Sequence, residues 1–163
     1  MSNNFDFISA ADKPALLAFS TPEWLEAAKE ALVELGYKVH TAATHSDFLI
    51  RFSQVHYQVV VVEELFAANE IHENITLKAL QNMPMAQRRH ATILLFGNSF
   101  QTFTPLQAFQ QSVHAVIGSS EIFLLKQLIE KAVADNTLFL HSFFEAQSRL
   151  YANIGEETST ATV

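Results

Sequence analysis

Cysteine is absent from this 163-residue chain, and glycine, proline and positive charge are scarce: four glycines, four prolines and ten lysines and arginines together. Without thiols there can be no disulfide, thiolate metal centre or thiol nucleophile. Ten basic residues stand against 17 acids, for a net charge of −7. That balance excludes the basic face with which a sequence-independent nucleic-acid binder displaces counterions. Arg88-Arg89-His90 is the one basic cluster, too short for a phosphate track. No apolar run approaches the ~20 residues of a membrane span. The N-terminus lacks the basic start, apolar run and small-residue cleavage site of a secretory signal, so the expectation is a cytoplasmic protein with no membrane partner.

What is present is apolar. The hydrophobic fraction is 49% and charged residues only 17%, with a positive mean hydropathy. A well-filled core follows, together with some apolar surface covered by another chain.

The pattern alternates strand and helix. Met1 to Asp12 is polar with scattered Phe, a flexible leader. Pro14 to Phe19 is a short apolar run that reads as a buried strand. Thr21-Pro22-Glu23 opens a helix with a hydroxyl cap, a proline in the first turn and an acid facing the dipole. Trp24, Leu25, Ala28, Ala31, Leu32 and Leu35 continue it until Gly36. Lys38 to Ala42 is a second strand, and Ser46 to Val55 a second helix. Val59 to Val62 is an unbroken β-branched run, which implies burial on both faces in the middle of a parallel sheet. After a loop at 65–74, a helix is predicted over Ile75 to Ala86. A strand follows at Thr92 to Phe96, then a short helix after Thr104-Pro105 and a fifth strand at Ala115 to Ile117. Five such alternations with short connections predict an α/β fold with a doubly wound, five-stranded parallel sheet. Right-handed crossovers place its site at the C-terminal ends of the strands.

Gly36-Tyr37-Lys38-Val39 followed by Ala42 resembles the "GY-x-V…A" segment of response-regulator receiver (CheY-like) domains. Pro22 stands where receivers often carry a proline after their acidic pair. Glu63, Gly97 and Ser119 fall near the spacing of the family's phosphoacceptor, hydroxyl and lysine. The resemblance covers Lys13 to Val133, with a small insertion around 66–74. It implies the flavodoxin/CheY-like strand order 2-1-3-4-5 and a signalling role.

Receiver chemistry requires an acidic pair holding Mg²⁺, an aspartate nucleophile, a hydroxyl and a lysine. By the resemblance, those positions hold Phe19 and Ser20, Glu63, Gly97 and Ser119, a degenerate set in which only Glu63 keeps an acid. The chain is therefore expected to be non-catalytic and phosphorylation-independent, with no cofactor and no metal. Glu63 has two readings: a permanent stand-in for the phosphorylated state, or a solvated acid at a strand end. The second is favoured, because no lysine or hydroxyl is left for the charge to recruit. A runner-up function is small-ligand binding at an apolar pocket lined by Phe19, Phe96 and Gly97. The seven histidines lack metal-ligand spacing. Pro22-Glu23-Trp24 spoils a flavodoxin-type phosphate loop after Ser20-Thr21, and no Gly-x-Ser-x-Gly elbow exposes a nucleophile.

Between Glu121 and Ala152 there is neither glycine nor proline, which permits one helix of about thirty residues. Ile122, Leu125, Ile129, Ala132, Asn136, Phe139, Phe143, Ala146 and Leu150 repeat at steps of three and four, a heptad seam with Asn136 at an a position. The first part is expected to cover the sheet to Val133. The extension at 134–153 is expected to pair two copies through Ile129, Asn136, Phe139, Phe143 and Leu150. A fold-back after a break near Asp135-Asn136-Thr137 is the competitor. Residues 154–163 read as a disordered tail. The expected partners are a second copy of the chain and an unidentified protein.

Overall fold

The computed structural model describes residues 7–160. Five parallel strands, β1 (Pro14–Ala18), β2 (Lys38–Ala42), β3 (Val59–Glu63), β4 (Thr92–Gly97) and β5 (Ala115–Gly118), form one sheet in the order β2-β1-β3-β4-β5. Helices α1 (Pro22–Glu34), α2 (His45–Gln54), α3 (Ile75–Asn82), α4 (Met85–Arg88), α5 (Pro105–Gln111) and α6 (Leu125–Thr160) connect and follow them.

Side-chain alternation along the strands sorts the core into two layers. Leu16, Val60, Val62, Ile93, Leu95 and Val116 face α2, α3 and α5. Leu17, Val59, Val61, Leu94, Phe96 and Ile117 face α1 and α6. Val59 to Val62 are fully buried because β3 is central and its residues feed both layers in turn.

Three features differ from the sequence reading. The helix expected through Ala86 stops at Asn82 and resumes as the single turn α4. Pro84 has no N–H to continue it, and it drives Met83 into extended backbone (ψ 134°). A 3-10 segment, Ser119–Leu124, precedes α6, so the long helix begins at Leu125. The helix then runs unbroken past Asn136 and through Gly155 to Thr160. The fold-back is not observed, and the helix passes Gly155 because one glycine costs a helix only about 1 kcal/mol. Where the leader meets the domain, the Asp12 carboxylate makes two polar contacts. Ser9 N–H donates to the Asp12 carboxylate, and Asp12 pairs with Lys38 at 3.7 Å. The first six leader residues and the last three of the tail lie outside the described residues.

At 1.5 Å per residue, the 36 residues of α6 reach about 54 Å. Its first three turns bury Leu125, Ile129 and Ala132 against the sheet. Asn136 then donates from Nδ2 to Thr92 Oγ1 at 2.9 Å, at the start of β4. From there α6 leaves the sheet at the strands' N-terminal edge, opposite the candidate site.

Candidate functional site

The five positions singled out from sequence meet at the C-terminal edge of the sheet. Phe19 and Ser20 follow β1, Glu63 ends β3, Gly97 ends β4 beside Gly118, and Ser119 follows β5.

Glu63 is not a solvated acid. It is 3% exposed, and its carboxylate accepts three hydrogen bonds: Ser20 N–H at 2.6 Å, Thr21 N–H at 3.0 Å and Thr21 Oγ1–H at 2.6 Å. Thr21 is the N-cap residue of α1, yet its hydroxyl makes no cap bond to its own helix. Its hydroxyl turns instead to Glu63. The carboxylate thus holds the turn that leads into α1, near the positive end of the helix dipole, which favours an anion. The physical reason the sequence reading missed this is that the partners are mostly backbone groups, whose direction depends on the turn between β1 and α1.

The neighbouring acid, too, is engaged by partners that no sequence spacing marks. Glu64 is 5% exposed. Its N–H donates to the Phe96 carbonyl, and its Oε1 accepts from Ser99 N–H at 2.9 Å. The side chain lies across Gly97, where an added Cβ would come within 2.5 Å of Glu64 Cγ and Cδ. Gly97 is therefore a place where a side chain is excluded by an acid. The apolar ligand pocket expected beside it is filled: Phe19 and Phe96 pack ring to ring at 5.6 Å, Trp24 stands edge-on to Phe96 at 5.0 Å, and Glu64 occupies the remaining side.

Asn74 and His45 complete the edge. Asn74 is fully buried, donates from Nδ2 to the carbonyls of both Glu63 and Glu64, and caps α3 by accepting from Leu77 N–H. His45 Nδ1 accepts from Thr76 N–H at 3.1 Å, which places its proton on Nε2, facing the Ala67 carbonyl at 3.2 Å. Ser20 Oγ accepts from Ala67 N–H. Closed by the backbone between Thr76 and Asn74, these bonds make a ring that runs from Glu63 through Ser20, Ala67 and His45 to Thr76, and from Asn74 back to the carbonyls of Glu63 and Glu64. An Asn directly before Ile75 is the one sequence signal that could have marked this cap, and nothing in the sequence signals the link back to β3. Ser119 lies outside this ring and bonds Asn98. Among the described residues no three His, Cys, Asp or Glu side chains form a group that could hold a metal ion.

The residues expected to pair two copies divide in two. Ile129 is fully buried in the chain's own core and the Asn136 amide is engaged by Thr92, so the inner end of the supposed seam is intramolecular. Phe139, Phe143 and Leu150 are exposed, together with Leu138, Phe144, Tyr151 and Ile154. Among the described residues no helix is long and apolar enough to cross a membrane.

No family model matches the chain, and no curated protein matches it. Solved structures do. The chemotaxis response regulator CheY4 of Vibrio cholerae superposes with a TM-score of 0.59 at 14% identity, covering 75% of this chain and 99% of that one. A CheY-like protein (tadZ) from Pseudomonas aeruginosa gives 0.52 at 15%, over 74% and 99%. A third match is the yeast Spc42 trimeric coiled coil, amino acids 181–211, fused to another structure, at 0.60 and 18% over 95% and 97%. With this strand order and these matches, the chain has the CheY-like fold of response-regulator receiver domains.

Proposed function

We propose that the chain is a signalling module of receiver type that works without phosphorylation, recognises other proteins, and associates with a second copy of itself through the projecting part of α6. The observation that carries this reading is the commitment of Glu63. Its carboxylate accepts from Ser20 N–H, Thr21 N–H and the Thr21 hydroxyl. A nucleophile needs a lone pair aimed at an incoming phosphorus, and a metal and a cation to take up the charge that develops. Around Glu63 the corresponding places hold Phe19, Ser20, Gly97 and Ser119. The edge is a hydrogen-bonded closure, which supports a fixed conformation over a switched one. It equally speaks against a phosphate mimic, since Glu63 directs its charge at the β1–α1 turn and away from β4 and β5.

Self-association is supported by the exposed stripe from Phe139 to Ile154, which continues the same face of α6 that packs on the sheet. It is supported also by the likeness to a protein carrying a trimeric coiled coil. Two assays test the proposal. Incubation with Mg²⁺ and a small phosphoryl donor should leave the intact mass unchanged; a phosphoryl adduct on Glu63 would refute the first half. Light scattering should give a multiple of the chain mass that reverts to one chain in Phe143→Ser/Leu150→Ser. A wild-type monomer at all concentrations refutes the second half.

A further inference from the structure

At the opposite edge of the sheet, α4 and the turn after it are surrounded by cationic and ionisable bases. Arg88 is 6% exposed. Its Nη1 donates to the Leu80 carbonyl at 2.6 Å, in the last turn of α3, and its Nη2 to the Ser112 carbonyl at the C-cap of α5. Both are negative helix ends, so one guanidinium clasps three helices without a carboxylate. Its Nε has no hydrogen-bond partner.

Two imidazoles lie near this clasp, and one of them is held neutral by a hydrogen bond. His114 Nδ1 accepts from Ile93 N–H at 2.9 Å, and a proton there would set one N–H against another. The His90 ring stacks on His56 at 4.3 Å and on Phe52 at 5.4 Å, with Nε2 buried and unpartnered. Stacked rings keep their lone pairs in nearly parallel planes, so this pair does not converge on a metal ion. The adjoining cavity of about 440 Å³ has no carboxylate in its lining. On α2, Asp47 and Arg51 pair with each other at 3.0 Å. On α6, Lys131 and Asp135 beside His114 likewise pair at 2.6 Å. Arg89 lies over the Phe143 ring at 5.4 Å.

We propose that these groups form an acid-sensitive latch: protonation of His114, at the cost of its bond from Ile93, and of His90 against His56 releases α4 and the turn at 89–91, and with them the Arg89–Phe143 and Asn136–Thr92 contacts that seat the base of α6. Burial, and after it the neighbouring His56, holds His90 below the ordinary imidazole value of 6.5. Burial and then Arg88 do the same for His114, opposed by its bond to Ile93. The latch is therefore closed at neutral pH and opens as the pH falls below 6.5.

Hydrogen exchange of the full chain, followed from neutral pH downward and corrected for intrinsic rates, tests this. The amides of Arg89, Ala91 and Ile93 should lose about tenfold or more protection before those of β3 change, a sub-global opening. In His90→Phe/His114→Asn, which keeps the ring stack and an acceptor for Ile93 N–H, that early loss should vanish. Uniform loss across the sheet, or an unchanged early loss in the double variant, would overturn the latch. Should the variant fail to fold, imidazole nitrogen shifts of the wild type decide. Protonation of both rings at or above pH 6.5 without loss of the Ile93 bond overturns it, and protonation below that value together with loss of the bond supports it.

Discussion

Replacing Glu63 by glutamine keeps the shape of the side chain and removes its charge. The amide oxygen can still accept from Ser20 N–H and Thr21 N–H. The amide NH2 must then meet Thr21 Oγ1, which has to rotate from donor to acceptor. Hydrogen bonds to a charged group contribute ~1.5–3 kcal/mol against ~0.5–1.5 for neutral ones. A carboxylate at a helix N-terminus adds roughly 0.3–1 kcal/mol more. Because Ser20 is exposed and Thr21 partly so, water recovers part of the loss, and the net cost of Glu63→Gln is set at about 1–2 kcal/mol. Glu63→Ala leaves three donors without their acceptor and should cost about 3 kcal/mol. With a urea m-value of roughly 2 kcal/mol per M for a domain of this size, the midpoint falls by about 0.5–1 M in the first variant and 1.5 M in the second. Both are read at one fixed chain concentration, since association shifts apparent stability. A change under ~0.3 kcal/mol in both, within the range of an ordinary surface substitution, would refute the claim that Glu63 holds the β1–α1 turn.

Gly97→Ala should lose about 1–3 kcal/mol by forcing Glu64 from its place, and a double-mutant cycle with Glu64→Ala should show most of that loss to be shared. Asn74→Ala removes the donors to two buried carbonyls and the α3 cap, so thermal unfolding should report a loss of about 2–4 kcal/mol. Asn136→Leu breaks the bond to Thr92 and should cost about 1 kcal/mol in chemical denaturation. Because the Asn136 amide is committed to Thr92 within the chain, light scattering should show the same oligomer in this variant. Acid should destabilise the fold. The unfolded chain takes up protons on His90 and His114 near pH 6.5 while the folded chain resists, so stability is full above that pH and declines below it. Melting temperatures across that range in wild type and His114→Asn measure the effect.

Much of the architecture is local and therefore legible. The Val59 to Val62 run could be only a strand buried on both faces, and Thr21-Pro22 and Gly36 bracket α1 by their own backbone preferences. Pro84 was equally legible, but the helical spacing of Leu77, Leu80 and Met83 masks it until the chain is seen to turn. The site was half legible. The order of strands brings Phe19, Ser20, Glu63, Gly97 and Ser119 to one edge, as the spacing implies. What they do there is decided by directions that no spacing carries: the N–H groups of a turn aimed at Glu63, a glutamate laid over Gly97, and an asparagine eleven residues beyond Glu63 reaching back to its carbonyl. The projecting helix shows the same division. Its apolar stripe is plain in the sequence, whereas the capture of Ile129 and Asn136 by the chain's own domain emerges only in three dimensions.

The closed edge is tested most directly by titrating the amide-labelled chain with Mn²⁺ and following paramagnetic broadening. Amides of 18–21 and 62–65 are expected to broaden no more than those of other surface acids. Selective loss of the Ser20, Thr21 and Glu64 signals, reversed by Mg²⁺, would mean that a divalent cation enters beside Glu63, and the account of a self-satisfied carboxylate would be wrong.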